Sequence, residues 1–197
     1  MHRISLRKRI IQTVNREKYN EKDIVAQLKD KSLRTAAFSA IVERYSEQIY
    51  RHIRRMVFSH EDANDLVQET FIKAWTNIDK FRGESQIQTW LYRIAINETL
   101  TFIGKNHGNT ISIDTPEGAV ADKLESDVFF NGDRAEALFQ EAVSRLPAKQ
   151  RLTFNMKYYD EMKYEDMSAL LDTSVGALKA SYHIAVRKIE EFLKENN

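Results

Sequence analysis

EDANDLVQETFIKAW, residues 61–75, places Leu66, Val67, Thr70, Phe71, Ala74 and Trp75 at intervals of three and four, and Ile78 continues the series. That is the period of an amphipathic α-helix, and Asp62, Asp65, Gln68 and Glu69 fall on its other face. Ser59 stands three residues before Asp62, close to a capping box, so the spacing predicts a helix over about 61–80. Upstream, Phe38, Ile41, Val42, Tyr45, Ile49, Ile53, Met56 and Val57 predict a long helix from Arg34 to Val57, with a short one before it from Asp23 to Asp30. Downstream, Phe81 to Ser85 (FRGES) breaks the pattern, and Ile87, Trp90, Leu91, Ile94, Ala95 and Phe102 predict a third long helix to about Lys105. Three long helices around one core make a domain, here residues 21–105.

Periodicity disappears over 106–131, where Gly108, Gly118, Pro116 and five acids suggest a flexible acidic linker. It returns over 132–197. Helices are expected from Ala135 to Leu146, from Leu152 to Tyr159 with Pro147 suited to its first turn, from Lys163 to Leu171 and from Val175 to Leu193. Only Asp172, Thr173 and Ser174 separate the last two, the spacing of a helix-turn-helix. The expected fold is therefore all-α: two small helical domains joined by the acidic linker, the second ending in a helix-turn-helix.

Composition agrees. Six glycines and two prolines among 197 residues leave little turn chemistry for an all-β protein. With no cysteine, disulfides, thiolate-held metals and cysteine nucleophiles are excluded; with 30% charged residues, no membrane insertion is expected. The net charge of +1 hides strong segregation: residues 1–55 carry fourteen Lys or Arg against six acids, whereas 61–80 and 106–133 sum to −3 and −5. Such a chain suits one polyanionic and one basic partner. Residues 1–20 are a basic extension whose apolar residues are interrupted by Arg7, Lys8, Arg9 and Gln12, unlike a secretory signal, so a cytoplasmic location is expected.

Three segments carry chemistry. Asp62, Asp65 and Glu69 share one helical face, which the residues alone favour as a solvated face with acids near the helix start over a dock for a basic protein surface. A metal site would need a second ligand cluster that the sequence lacks, so no metal, cofactor or catalytic residue is expected. In FRGESQIQTWLYRIAIN (81–97), Phe81, Trp90 and Tyr92 alternate with Arg82, Ser85, Gln86, Thr89, Arg93 and Asn97. Stacking faces, amides, hydroxyls and arginines are what single-stranded nucleic acid requires, although Trp90 also fits the core. In the last helix, Ser174, Gly176, Ala177, Lys179, Ala180, Ser181, His183, Arg187 and Lys188 lie opposite the apolar side, and no acid interrupts 174–189. Small residues at the helix start permit close approach to a groove, and the cations beyond can neutralise phosphates.

At these residues the chain resembles the extracytoplasmic-function sigma factors, initiation subunits of bacterial RNA polymerase. The resemblance covers about 23–105 and 135–194, on the two stretches quoted and on LPAKQRLTFNMKYYDEMKYEDMSALLDTSVGALKASYHIAVRKI at 146–189. It implies that Asp62, Asp65, Gln68 and Glu69 dock on core RNA polymerase. It further implies that Phe81–Trp90 with Arg93 and Asn97 meets promoter DNA at the minus-ten element and captures a flipped base, and that Ser174–Lys188 reads the minus-thirty-five element. An anti-sigma factor is the further partner implied, and no bond is made or broken by such a protein. Ile87 departs from the family, which commonly has an aromatic there. The alternative is a helix-turn-helix regulator with a ligand-sensing or dimerising N-terminal domain, which leaves 61–97 unexplained.

Overall fold

The protein, a computed structural model, is described over residues 20–105 and 132–196; the expected basic extension and linker lie outside the described residues. The described residues form α1 (Glu21–Lys29), α2 (Arg34–Val57), α3 (His60–Thr76), a 3₁₀ turn (Ile78–Lys80), α4 (Ile87–Lys105), α5 (Arg134–Ser144), α6 (Ala148–Tyr158), α7 (Tyr164–Leu171) and α8 (Val175–Glu195).

The first four helices pack through the predicted stripes. Ala37, Ile41, Tyr45, Ile49, Ile53 and Met56 of α2 meet Ala63, Leu66, Phe71 and Ala74 of α3 and Ile87, Leu91, Ala95, Ile96 and Ile103 of α4 in one buried cluster. Two hydroxyls inside it are satisfied within their own helices, Thr70 donating to the Leu66 carbonyl and Thr99 to that of Ala95, each at 2.7 Å. Ser59 caps α3 by accepting from the Asp62 N–H at 3.3 Å. The helix expected to reach residue 80 ends at Thr76. There the Thr76 hydroxyl and the Asn77 side-chain amide donate back to the Ile72 and Lys73 carbonyls, competing with the helical ladder, and the 3₁₀ turn then carries Ile78 into the core.

In the second group Asp133 caps α5, accepting from the Glu136 N–H at 2.9 Å. Pro147 lies one position earlier than expected: it is the extended residue before α6, and its carbonyl accepts the Arg151 N–H. The rings of Tyr158, Phe154 and Tyr182 are stacked, with centroids 5.1 and 5.8 Å apart, beside a buried cluster of Val143, Leu146, Ala185 and Ile189.

The two groups do not keep separate cores. Leu152, Met156, Met167, Leu170 and Leu178 of the second join the cluster of the first. The end of α2 is finished by side chains of α6: Arg151 Nη1 donates to the Met56 carbonyl at 2.6 Å and Asn155 Nδ2 to that of Arg55 at 3.2 Å. These carbonyls belong to a last helical turn that lacks partners within its own helix and carries negative partial charge. Burial lowers the Arg151 pKa to about 10, which leaves it charged at neutral pH.

Truncating the cap and truncating the core differ in scale. In urea unfolding followed by circular dichroism, Ser59→Ala is expected to cost about 1 kcal/mol and Leu91→Ala, at a fully buried site, about 2–5 kcal/mol.

Candidate functional site

The outer face of α3 is more than acidic. Asp65, Gln68 and Glu69 are exposed and Asp62 half-buried. Among the described residues none of the three acids forms an ion pair, because the nearest cation on the helix, Lys73, is bound instead to Glu98 of α4. At 3.6 residues per turn Ile72 falls within about 20° of Asp65 around the helix, and it is 61% exposed. Trp75, expected in the buried stripe, is 39% exposed and lies edge-on to Phe38 at 5.0 Å. Its position, about 100° from the centre of the buried face, puts it at the border. The result is a rigid face on which unpaired carboxylates surround an exposed aliphatic side chain. Ile72 was the residue missed by sequence reasoning; its signal is a lone large apolar residue on the charged side of the helix. No three His, Asp or Glu side chains converge on a possible metal position among the described residues. His60, beside the acids in sequence, bonds to the Tyr50 hydroxyl and to Asn64.

The aromatic loop follows the 3₁₀ turn. Gly83 takes φ +77, and a Cβ there would lie 3.1 Å from Val25 Cγ1, so the loop runs close against α1. Glu21 of α1 accepts the Ile87 N–H at 2.8 Å and so caps α4 with a carboxylate, favoured at a helix start. Ile87 is fully buried and cannot be a surface contact in this arrangement. The Phe81 and Trp90 rings cover each other, 4.9 Å apart and tilted by 32°, which leaves Arg82, Ser85 and Gln86 exposed at the tip. Thr89 is half-buried, while Arg93 and Asn97 are exposed one and two turns along. Arg93 is already engaged: its Nη2 donates to the Ala169 carbonyl of α7 at 3.0 Å.

The helix-turn-helix is α7 and α8. Asp172, left-handed at φ 49, ends α7; Ser174 caps α8, its hydroxyl accepting the Ala177 N–H at 3.2 Å. Leu178, Ala185 and Ile189 are buried, and Gly176, Ala177, Lys179, Ala180, His183, Arg187 and Lys188 are exposed, with Ser181 half-buried. Lys179 sits over the Tyr164 ring, Lys188 donates to Gln150 at 3.1 Å, and Arg187 lies 3.7 Å from Glu191. All three cations stay at the surface, held by weak partners that a phosphate could displace. The predicted site residues thus form three separate surfaces, two on the first helical group and one on the second. No helix among the described residues is long and apolar enough to cross a membrane.

The chain is similar to known proteins over most of its length. Residues 41–108 match Sigma-70 region 2 and residues 136–189 match Sigma-70 region 4. The RNA polymerase sigma-H factor of Pseudomonas aeruginosa is 30% identical over 174 residues, 80% of this chain and 86% of that protein. The ECF RNA polymerase sigma factor SigW of Bacillus subtilis is 30% identical over 168 residues, 81% and 90% of the two chains. Among solved structures, CnrH, in complex with the cytosolic domain of CnrY, aligns with a TM-score of 0.65 at 21% identity, covering 90% of this chain and 99% of that one. RpoE, in complex with the anti-sigma factor NepR from Bartonella quintana, gives a TM-score of 0.60 at 23% identity, covering 81% and 98%. A fold of two helical groups ending in a helix-turn-helix, two matched sigma regions in order and relatives aligned over four-fifths of the sequence lead to one assignment: the chain belongs to the extracytoplasmic-function sigma factors of bacterial RNA polymerase.

Proposed function

We propose that this chain is a transcription initiation factor that joins core RNA polymerase, recognises the minus-thirty-five and minus-ten promoter elements and promotes DNA opening, working in the cytoplasm and catalysing no bond change itself. The observation that carries the reading is the presence in one chain of an unpaired acidic face around Ile72 and an acid-free helix-turn-helix face. A helix-turn-helix regulator with a sensing or dimerising N-terminal domain accounts for the second and gives the first no task. Residues 21–105 bind core and the minus-ten element, 132–197 bind the minus-thirty-five element, and 106–131 join them. An anti-sigma factor is a natural partner, since CnrH and RpoE were each solved with a protein partner, NepR being an anti-sigma factor.

On α3, Asp65 and Glu69, with Asp62 and Gln68, steer and orient a basic surface of core, and Ile72 is the apolar anchor at their centre. On the loop and α4, the Phe81–Trp90 pair supports the chain while Arg82, Ser85 and Gln86 with Thr89, Arg93 and Asn97 contact the opened strand. On α8, Gly176, Ala177 and Ala180 let the helix approach base edges. Ser174 at the helix start, with Ser181, Lys179, His183, Arg187 and Lys188, meets the groove and its phosphates.

Charge and apolar contact separate by salt. Asp65→Lys and Glu69→Lys are expected to weaken core binding by about tenfold at low salt, with the deficit shrinking as salt rises. Ile72→Ala should lose about tenfold at every salt concentration. Fluorescence titration against core measures both, and parent-like affinity for all three variants would overturn the docking assignment.

For α8, Lys179→Ala and Arg187→Ala should each lower the slope of log affinity against log salt by about one on promoter duplex, as expected for one lost phosphate contact. Unchanged slopes would remove those cations from the backbone. A changed sequence preference would place Lys179 on a base.

Loop variants test opening. Unstacking a base costs a few kcal/mol, which contacts available only after opening must offset. Ser85→Gly, Gln86→Gly and Asn97→Ala should leave core association unchanged and reduce permanganate-reactive thymines on duplex promoter, with partial rescue on a premelted template. Normal footprints on duplex DNA for every variant would sink the capture role.

A further inference from the structure

One large apolar side chain of α8 takes no part in either core. Leu178, Ala185 and Ile189 are buried, and Tyr182, Val186, Phe192 and Leu193 pack against the second cluster. Ile184 belongs to neither cluster and is 38% exposed. A single exposed apolar residue means little by itself; the neighbours of Ile184 give it meaning. At about 100° per residue, Ala180 and Lys188 lie about 40° to either side of it, Ala177 about 20° away and Arg187 about 60° away. All four are exposed. The first acid along this line, Glu191, comes two turns later, 3.7 Å from Arg187. Ile184 therefore stands in the middle of the face that α8 turns to promoter DNA, with small residues before it and cations after it.

That combination selects a ligand. Alanines at 177 and 180 keep the helix thin where it enters a groove, so a side chain one turn further on reaches base edges. Arg187 and Lys188 are long enough for the phosphates that border the groove. What remains for Ile184 is a base edge, and an aliphatic side chain makes no hydrogen bond there. In the major groove only thymine presents an apolar group, its 5-methyl. Guanine, adenine and cytosine present donors and acceptors that an isoleucine strips of water and leaves unpaired. A β-branched side chain also keeps one strongly preferred rotamer in a helix, so its methyl groups meet that position at little entropic cost.

We infer that Ile184 is a specificity-determining residue of the minus-thirty-five reader, seating the 5-methyl group of one thymine and disfavouring the other three bases at that position. The inference rests on the minus-thirty-five reading of α8. It gives the third turn of the helix a part in base choice that the surrounding cations cannot play, since phosphate contacts carry no sequence information.

The test removes that methyl group alone. The full chain with core RNA polymerase selects its preferred minus-thirty-five sequence from randomised duplexes. Each thymine is then replaced singly by deoxyuridine, which keeps every hydrogen-bonding group. Affinities follow from fluorescence anisotropy, with core and for the free chain. The parent should lose about fourfold at one thymine, as for one methyl group returned to water. Ile184→Ala, a good helix former at an exposed position, should bind the thymine and deoxyuridine duplexes equally at that position. Ile184→Arg, whose guanidinium matches guanine O6 and N7, should move the selected base there from thymine to guanine.

Equal deoxyuridine penalties in the parent and Ile184→Ala at every thymine overturn the inference, whatever base Ile184→Arg selects; they are also the result if Ile184 faces a protein partner instead. A selected sequence without thymine overturns it too. The two readings fail separately. A methyl effect that vanishes in Ile184→Ala, in a chain that never joins core, keeps Ile184 on its thymine and removes the initiation-factor reading. Selection of an element together with core, but with equal penalties, keeps that reading and removes Ile184.

Discussion

The packing of the whole molecule depends on how one helix ends. The Arg55 and Met56 carbonyls in the last turn of α2 have no partners within the helix, and the chain supplies them from the other half, through Asn155 and Arg151. That choice fixes α6 against α2. It also brings Met156 and Leu152 into the first core and sets the turn at Asp160 above His52 and Arg55. It further explains why Phe58 tolerates a left-handed φ of 59, a conformation that costs a side chain about 1–2 kcal/mol. With that geometry the Phe58 N–H closes the helix on the Arg54 carbonyl and its ring lies under the Arg151 guanidinium.

The three candidate surfaces obey different physical rules. The face of α3 keeps its carboxylates unpaired: Lys73 is bound to Glu98, so the local field stays negative. The loop before α4 is braced, with Glu21 holding the helix start, Gly83 pressed on α1 and Phe81 against Trp90. The α8 face is lightly held, its cations resting on exposed, exchangeable partners.

Much of this was legible in the sequence, and the unreadable part has a common cause. Helix α2 runs over the residues its apolar spacing predicts, α4 likewise, and the Ser59 cap and the three-residue turn before α8 are where local chemistry puts them. Local periodicity carries such features because their partners lie three or four residues away. The border position of Trp75, set by its angle around the helix, and the end of α3 at Thr76, set by side-chain bonds of Thr76 and Asn77, were finer than the pattern. The bonds that join the halves link residues about a hundred positions apart, and their only trace is a polar residue at an apolar register: His52 in the α2 stripe, Asn155 and Arg151 in α6. The resemblance to sigma factors pointed to three surfaces that the fold keeps apart and exposed. It could not say that Phe81 and Trp90 cover each other or that Ile72 stands bare.

The distance along the chain between α2 and its cap bears on the order in which the protein comes into being. The Ser59 cap of α3, the Lys73–Glu98 pair and the Glu21 bond at the α4 start all lie within residues 20–105, so these contacts can form before the second group is made. Asp160 is made fifty-five residues after Lys105, a delay of roughly 3–11 s at ordinary rates of synthesis. During that interval water occupies the α2 carbonyls and Arg93 has no α7 to bind. Each new molecule therefore passes through a moment when its acidic face is already made and the end of α2 is still uncapped.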